Sequence, residues 1–279
     1  MKVKQSLEYI ESKLATQEAK DDARYLLSFV LQKSFTWLKT WPEKLLTSEQ
    51  QNQLESLIER RATGEPIAYI TGERDFWTLT LKTNPSTLIP RPETELLVEK
   101  AIEFLNDLSS KENKILDLGT GTGAIALAIA SERPKDKVIA CDFQVGAVEL
   151  AKKNVKLNNI NNVEVVQSDW FSNVPEEQFE LIVSNPPYVE ENDPHLTLGD
   201  LVFEPNSALV AGDEGLADIK VIISQSVEFL VDGGQLMIEH GYNQASQIQA
   251  VFAENGYSKI EIYKDLAGLD RITKGQFLK

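Results

Sequence analysis

Asn185-Pro186-Pro187-Tyr188 directly follows the apolar run Phe179-Glu180-Leu181-Ile182-Val183-Ser184. Two successive prolines fix φ, remove two backbone donors and leave carbonyl oxygens that only accept hydrogen bonds. Such a rigid acceptor pair, the Asn185 side-chain oxygen with the Pro186 carbonyl, suits an NH2 group. The Tyr188 ring offers a flat face on which a planar amide or a base stacks. Alone, an Asn-Pro pair more often starts a turn at a strand end. A second motif upstream weighs against that reading.

Lys114-Ile115-Leu116-Asp117-Leu118 runs into Gly119-Thr120-Gly121-Thr122-Gly123 and then the apolar stretch from Ala124 to Ala130. The order is strand, glycine loop, helix. Without Cβ atoms the loop presses its backbone N–H groups against a ligand at a helix N-terminus. Asp142, at the end of the next strand, is placed to accept both hydroxyls of a ribose. Past the third strand, Trp170 is expected to cover an adenine ring and Asp169 to accept from its exocyclic amine, the rival being a Trp packed under a loop. Gly119, Gly121 and Ala124 also satisfy the dinucleotide pattern, with an acid about 20 residues on. The loop alone therefore leaves two cofactor classes open.

The run Asp117 to Gly123 resembles the first motif of class I S-adenosylmethionine-dependent methyltransferases, and Asn185 to Tyr188 resembles their fourth. Hydride transfer has no use for the tetrad. One motif ends the first strand of the alternating region and the other ends the fourth, so both meet at the carboxyl edge of one sheet. The chemistry this implies is in-line transfer of an electrophilic sulfonium methyl group to nitrogen. The obstacle is the nucleophile, whose lone pair is delocalised. If Asn185 and the Pro186 carbonyl each accept one N–H, the NH2 group is held and its pyramidalisation favoured, with no tuned general base. Asn185, Pro186 and Tyr188 are thus the candidate catalytic residues.

Around the motifs, the chain reads as three segments. Residues 1–72 carry apolar positions at three- and four-residue spacing, such as Leu7, Ile10 and Leu14, then Leu26, Leu27, Val30 and Leu31, and form a helical module. Its clearest helix is expected from about Ser48 to Arg61, with Thr47 and Gln50 as a capping box and Gly64 as the stop. Arg60 and Arg61 are read as complements to the helix dipole. Residues 73–90 form a β-hairpin linker, with Phe76 to Lys82 roughly alternating before Asn84-Pro85. Residues 91–279 alternate strand and helix. Pro92 and the acids after it suit a first helical turn. Strands are expected at Ile115–Leu118, Val138–Cys141, Val163–Gln167, Phe179–Ser184 and Gln235–Glu239, and further on at Ile260–Lys264 and near Arg271–Lys274. The fold class is α/β, a Rossmann-like, mostly parallel sheet with helices on both faces. Residues 189–215 read as a loop over the sheet's ligand edge.

Composition excludes several functions. The 279 residues carry 43 acids against 28 Lys and Arg, a formal charge of -15, which opposes sequence-independent binding to a phosphate backbone. One cysteine, Cys141, forms no intramolecular disulfide and reads as a small buried hydrophobe in a reducing compartment. The sequence has two histidines, His195 and His240, and no metal-ligand cluster, so no metal is expected. His240 is read as hydrogen-bonding or packing, not as a base, and His195 as solvated. No signal peptide or span of about 20 apolar residues is seen, and a cytoplasmic protein is expected.

The tetrad is shared by enzymes that methylate adenine amines and enzymes that methylate glutamine. Four further segments separate them: Gly64-Glu65-Pro66-Ile67-Ala68-Tyr69-Ile70-Thr71-Gly72, Leu88 to Glu95, Phe203-Glu204-Pro205 with Gly212 to Leu216, and Asp265 to Arg271. Together they resemble the bacterial release factor glutamine methyltransferases over nearly the whole chain. That resemblance implies S-adenosyl-L-methionine as donor, with S-adenosyl-L-homocysteine as product. It implies release factors one and two as partners, methylated on the glutamine of their Gly-Gly-Gln motif, by a monomer that meets neither nucleic acid nor membrane. It implies that Gly119, Thr120, Gly121, Thr122, Gly123, Asp142, Asp169, Trp170 and Asn185 bind the cofactor and that Asn185, Pro186, Pro187 and Tyr188 hold the glutamine. A sister family acts on a ribosomal protein, and the Arg91-Pro92-Glu93-Thr94-Glu95 segment favours the release factor branch. Phe143-Gln144-Val145 departs from the small polar residue usual after the ribose acid.

Overall fold

The apolar spacing of the first 71 residues builds α1 (Val3–Lys13), α2 (Ala19–Leu31), α3 (Phe35–Thr40), α4 (Ser48–Ala62) and α5 (Ile67–Thr71). The computed structural model describes residues 1–14, 18–109 and 112–279. Its first unit is Met1–Glu73 with Thr197–Phe203, and its second is Arg74–Leu196 with Glu204–Lys279. In α4 the capping box is formed: Gln50 N donates to Thr47 Oγ1 at 3.2 Å and Thr47 N to Gln50 Oε1 at 2.9 Å. Gly64 follows at φ +95°, a left-handed position that favours glycine.

Arg61 stands in the last turn of α4, as the dipole reading expects, and is also a buried ion-pair partner. Its guanidinium turns inward, 7% exposed, and its Nε donates to Asp22 Oδ2 at 2.8 Å. The carbonyls of Gly64 and Glu65 accept from its Nη1 at 3.3 and 3.1 Å. Leu54, Leu57 and Ile58 share the face that points into this unit's core, and the helix phase carries Arg61 there with them. Arg60 pairs with Glu65.

A hairpin follows, β1 (Glu73–Phe76) and β2 (Leu79–Lys82), all but Glu73 in the second unit. The run from Phe76 to Lys82 is therefore not one strand. Trp77 takes φ +57° and turns the chain with Thr78, while Phe76 and Leu81 join the core on one side of the main sheet. After Asn84-Pro85 a 3-10 turn (Pro92–Thr94) leads into α6 (Glu95–Asp107). Then come β3 (Lys114–Leu118), α7 (Ala124–Glu132), β4 (Lys137–Asp142), α8 (Val145–Leu157), β5 (Val163–Gln167) and β6 (Phe179–Ser184). Single turn α9 (Gly212–Gly215), α10 (Ala217–Phe229), β7 (Leu230–Glu239), α11 (Ala245–Glu254), β8 (Tyr257–Lys264) and β9 (Asp270–Phe277) complete it.

The sheet order is β5-β4-β3-β6-β7-β9-β8. Strands β3 to β7 are parallel, and β9 runs antiparallel between β7 and β8. Successive residues point to opposite faces, so Ile115, Val138 and Leu181 pack with α6 and α7, while Leu116, Ile139 and Ile182 pack with α10 and α11. Each fully buried Val, Leu or Ile contributes roughly 1.5–3 kcal/mol of burial free energy. This two-faced burial explains why the strands read as unbroken apolar runs. Strand order reverses between β3 and β6, and that reversal opens a crevice at their carboxyl ends.

Residues 189–215 form 3-10 turns at Pro194–Thr197, Gly199–Phe203 and Asn206–Ala208. Val189 bridges Val210, which closes the excursion. Its middle, Thr197–Phe203, belongs to the first unit, where the Phe203 ring lies 3.3 Å from the place a Gly64 Cβ would occupy.

Candidate active site

A cavity of about 350 Å³ fills the crevice at the carboxyl ends of β3, β4 and β6. Gly119, Gly121 and Gly123 take φ of +70°, +56° and +86°. The loop thus turns through conformations that side chains with a Cβ rarely adopt. It is pinned from below: Asp117, fully buried, accepts from Thr120 Oγ1 at 2.6 Å and Ala126 N at 3.2 Å. Burial drives the Asp117 carboxyl up to about 7 against those donors.

Asp142 anchors the loop from the neighbouring strand. One carboxylate oxygen accepts from Gly121 N and the other from Gln144 N, each at 2.9 Å. Each oxygen keeps a further lone pair for a ribose hydroxyl. Burial raises this carboxyl, and the backbone donors oppose the rise. Cys141 beside it is 1% exposed and its thiol is pushed up by burial, so it is a packing residue.

Trp170 holds its backbone at φ +44° and lays its ring 3.5 Å from the point where a Gly119 Cβ would stand. A Cβ at 119 would touch that ring at ordinary contact distance, so the φ of +70° is what favours glycine there. Trp170 also donates towards Asp218, whose carboxyl is raised by burial. Asp169, Trp170 and Asp218 all line the cavity, with Ser86, Thr87 and Phe143. Sequence reasoning passed over Asp218, because nothing in the run after Gly215 distinguishes one acid at the start of a helix from a dipole partner.

Asn185 and Pro187 line the same cavity as Thr120, Gly121 and Thr122, and since Leu118 pairs with Ser184 the tetrad leaves β6 beside the point where the glycine loop leaves β3. Pro186 and Tyr188 are not among the lining residues. Tyr188 instead packs beside the core under α10 and α11, its hydroxyl raised by burial and by Glu239, with Arg271 opposing. Asn185 Nδ2 donates to Thr94 Oγ1 at 3.3 Å.

Under Asn185 lies a carboxylate that sequence reasoning missed. Glu239 ends β7, one strand over from Asn185, and is 2% exposed with Oε2 lacking a hydrogen-bond partner among the described residues. Burial pushes its carboxyl up to about 7, against Thr94, Arg271 and Asn185. In sequence it is one more acid at the end of an apolar strand, so only the sheet register exposes its position.

His240 is fully engaged. Its Nδ1 meets the Gly241 carbonyl at 2.9 Å and its Nε2 the Thr273 hydroxyl at 2.8 Å. A carbonyl only accepts, so Nδ1 carries the proton and Nε2 accepts from Thr273. Burial lowers its pKa, which keeps the ring neutral and occupied. His195 is exposed beside Asp193 at 2.6 Å.

A sheet reversing at a glycine loop, with an acid after β4 and an acceptor tetrad after β6, is the architecture of a class I methyltransferase. Residues 94–215 match the model for the methyltransferase small domain, and residues 5–72 that for the PrmC N-terminal domain. The chain is 52% identical to the release factor glutamine methyltransferase of Aliivibrio fischeri, over 92% of this chain and 90% of that one. It is 48% identical to the enzyme of the same name from Escherichia coli, over 97% and 96%. It belongs to the release factor glutamine methyltransferase family. A methyltransferase structure from Pyrococcus furiosus superposes with a TM-score of 0.54 at 19% identity, over 84% of this chain and all of that one, and shares the fold.

Proposed function

We propose that this protein transfers a methyl group from S-adenosyl-L-methionine to the side-chain amide nitrogen of the glutamine in the Gly-Gly-Gln motif of peptide chain release factors one and two. The observation that carries the reading is Asn185: its amide nitrogen is tied back to Thr94, so its oxygen is left for an NH2 group entering the cavity that the glycine loop also lines. The family membership supplies the substrate class.

The cavity fits the donor. Gly119, Gly121 and Gly123 let the loop backbone approach a ligand, Asp142 retains lone pairs for a ribose, and Asp169 and Trp170, which line the same cavity, offer an acceptor and a ring to an adenine. When bound, S-adenosyl-L-methionine supplies a sulfonium methyl group that needs no further activation. The residues of this chain then orient the nucleophile. Asn185 Oδ1 and the Pro186 carbonyl accept the two amide hydrogens, which aims the nitrogen lone pair and favours its pyramidalisation as the N–C bond forms. Pro187 walls the entrance, and Tyr188, held beside Arg271, stiffens the end of the tetrad.

The enzyme acts on free release factors in the bacterial cytoplasm as a monomer. No described helix is long and apolar enough to cross a membrane. The test is incubation with labelled S-adenosyl-L-methionine and a purified release factor. Label on the wild-type factor, with a mass gain of one methylene on the Gln peptide, and none on the Gln→Ala factor, is the expected result. Undiminished labelling of the Gln→Ala factor would refute it.

A further inference from the structure

The segment Asp265-Leu266-Ala267-Gly268-Leu269, one of those that mark the family, does not line the cavity and is nonetheless built to hold one shape. It joins β8 to β9. Asp265 Oδ1 accepts from Ala267 N at 2.9 Å and Leu269 N at 3.0 Å, and Gly268 N donates to the Asp265 carbonyl at 2.9 Å. Gly268 closes the turn at φ +79°. Asp265 Oδ2 takes Arg271 Nη2 at 3.0 Å and Lys264 pairs with Asp270, so the charges of the turn are matched within it. Its tip is apolar: Leu266 is fully exposed, and Leu269 is exposed too.

Sheet register places this tip at the edge where the cavity opens. β9 runs antiparallel to β7 with Ile272 opposite Glu239, and Lys264 faces Asp270, so the turn stands at the carboxyl ends of the parallel strands. β9 is two strands from β6, and neighbouring strands lie about 4.8 Å apart, so the turn is roughly 10–15 Å from the point where the tetrad leaves β6. Hydrogen bonds connect the two. Arg271 Nη1 reaches the His240 carbonyl at 3.5 Å, Gly241 N donates to Gln244 Oε1 at 2.9 Å, and Gln244 Nε2 donates to the Tyr188 carbonyl at 2.9 Å. Other exposed apolar side chains share the edge: Tyr242 follows β7, and Phe143 and Val145 follow β4. Leu278, exposed as well, follows β9 at the opposite edge.

We propose that the turn from Asp265 to Leu269 is a docking surface for the body of the release factor, with Leu266 seated against an apolar patch of that protein when its glutamine has entered the cavity. The proposal rests on the reading that a release factor is the substrate. A glutamine carried on a folded protein reaches the cavity only when that protein covers the surrounding edge. A stable interface takes roughly 800 Å² from each partner, a disc about 16 Å in radius, and one centred on the cavity mouth includes the turn. Fully exposed, Leu266 buries no apolar surface in the free protein and gains burial only against a partner. A pinned turn loses little further freedom on binding, and its matched charges leave an uncharged tip to be desolvated.

Methylation kinetics of the full chain with a purified release factor test the docking. Leu266→Asp raises KM for the release factor about tenfold or more, while the single-turnover rate at saturating factor, the affinity for S-adenosyl-L-methionine and the melting temperature stay near wild type. Leu266→Met keeps an apolar tip and keeps KM within about threefold. Leu278→Asp, the same change at the opposite edge, leaves KM unaltered. An unchanged KM in Leu266→Asp, or an equal rise in Leu278→Asp, overturns the docking surface. So does a wild-type chain that sediments as a dimer which Leu266→Asp dissociates, since the tip then faces a second copy. If Leu266→Asp melts early, Leu266→Ser is read in its place. Wild-type enzyme that leaves the release factor unlabelled overturns instead the function on which the docking rests.

Discussion

Gln244 Nε2 donates to the Tyr188 carbonyl at 2.9 Å and to the Glu214 carbonyl at 3.2 Å, while its Oε1 accepts from Gly241 N at 2.9 Å. One side chain at the start of α11 thus fastens the end of the acceptor tetrad to the turn before α10. Gly215, at φ +80°, completes the fit, since a Cβ there would lie 2.2 Å from the Tyr188 carbonyl oxygen.

Gln244→Leu removes the side-chain partner of three part-buried backbone groups, at a cost of about 1–3 kcal/mol in all. We expect a lower melting temperature and a slower single-turnover rate with S-adenosyl-L-methionine binding retained. Gly215→Ala strains the same junction and lowers the rate further. Calorimetric binding beside quenched-flow kinetics checks both, and equal loss of binding and rate would argue against a tetrad-specific role.

Asp142 serves the glycine loop before it serves any ligand. Asp142→Ala frees Gly121 N and Gln144 N and removes a ribose acceptor, so affinity for S-adenosyl-L-methionine falls by about 10- to 100-fold, or roughly 1.4–2.8 kcal/mol. Asp142→Asn does nearly as badly, because an amide turns an N–H towards one of two backbone donors. Titration calorimetry on the folded variants measures the loss, which should leave the affinity for release factor within error.

The pH dependence of stability carries the mark of Asp117. Its folded-state pKa, about 7, lies above the ordinary aspartate value of 3.8. The folded protein therefore binds this proton more tightly than the unfolded chain, and the stability it contributes is full below the unfolded pKa and lost as pH rises through about 7. We expect Asp117→Asn, which has no proton to lose, to flatten the fall in melting temperature of the ligand-free protein between about pH 4 and 8. An unchanged slope relative to wild type would show that Asp117 does not carry it.

In the first unit the pair Arg61–Asp22, at 2.8 Å with side chains 8% and 6% exposed, is a buried ion pair. Arg61→Met removes the cation from beside the buried Asp22 carboxylate and costs about 3–5 kcal/mol. Replacing both by apolar residues of similar volume should recover most of that loss. Urea denaturation of the two variants makes the comparison, and a double variant as unstable as the single one would contradict it.

The strands of the main sheet were legible because burial on both faces writes an apolar run, and β5 and β6 match the residues expected for them. The glycine loop was legible for a different reason: three left-handed positions within five residues admit little but glycine. The helix α4 announced itself through Thr47 and Gln50, whose mutual hydrogen bonds are local. Arg61 was legible only in part, because a cation in a last helical turn suits the dipole whichever way it points, and only the position of Asp22 on α2 decides that it turns inward. Tyr188 was expected as a stacking face, and its neighbours Glu239 and Arg271, 51 and 83 residues further on, place its hydroxyl instead beside them.

By itself, the sequence determined the two motifs, their order at one sheet edge, and the segments that mark the family. Each of these depends on backbone conformation or periodicity, which neighbouring residues dictate. Tertiary structure alone decided which way the Asn185 amide points. That depends on a hydroxyl from residue 94 arriving beside it, and proximity between residues so far apart is set by sheet register and packing, not by any local pattern.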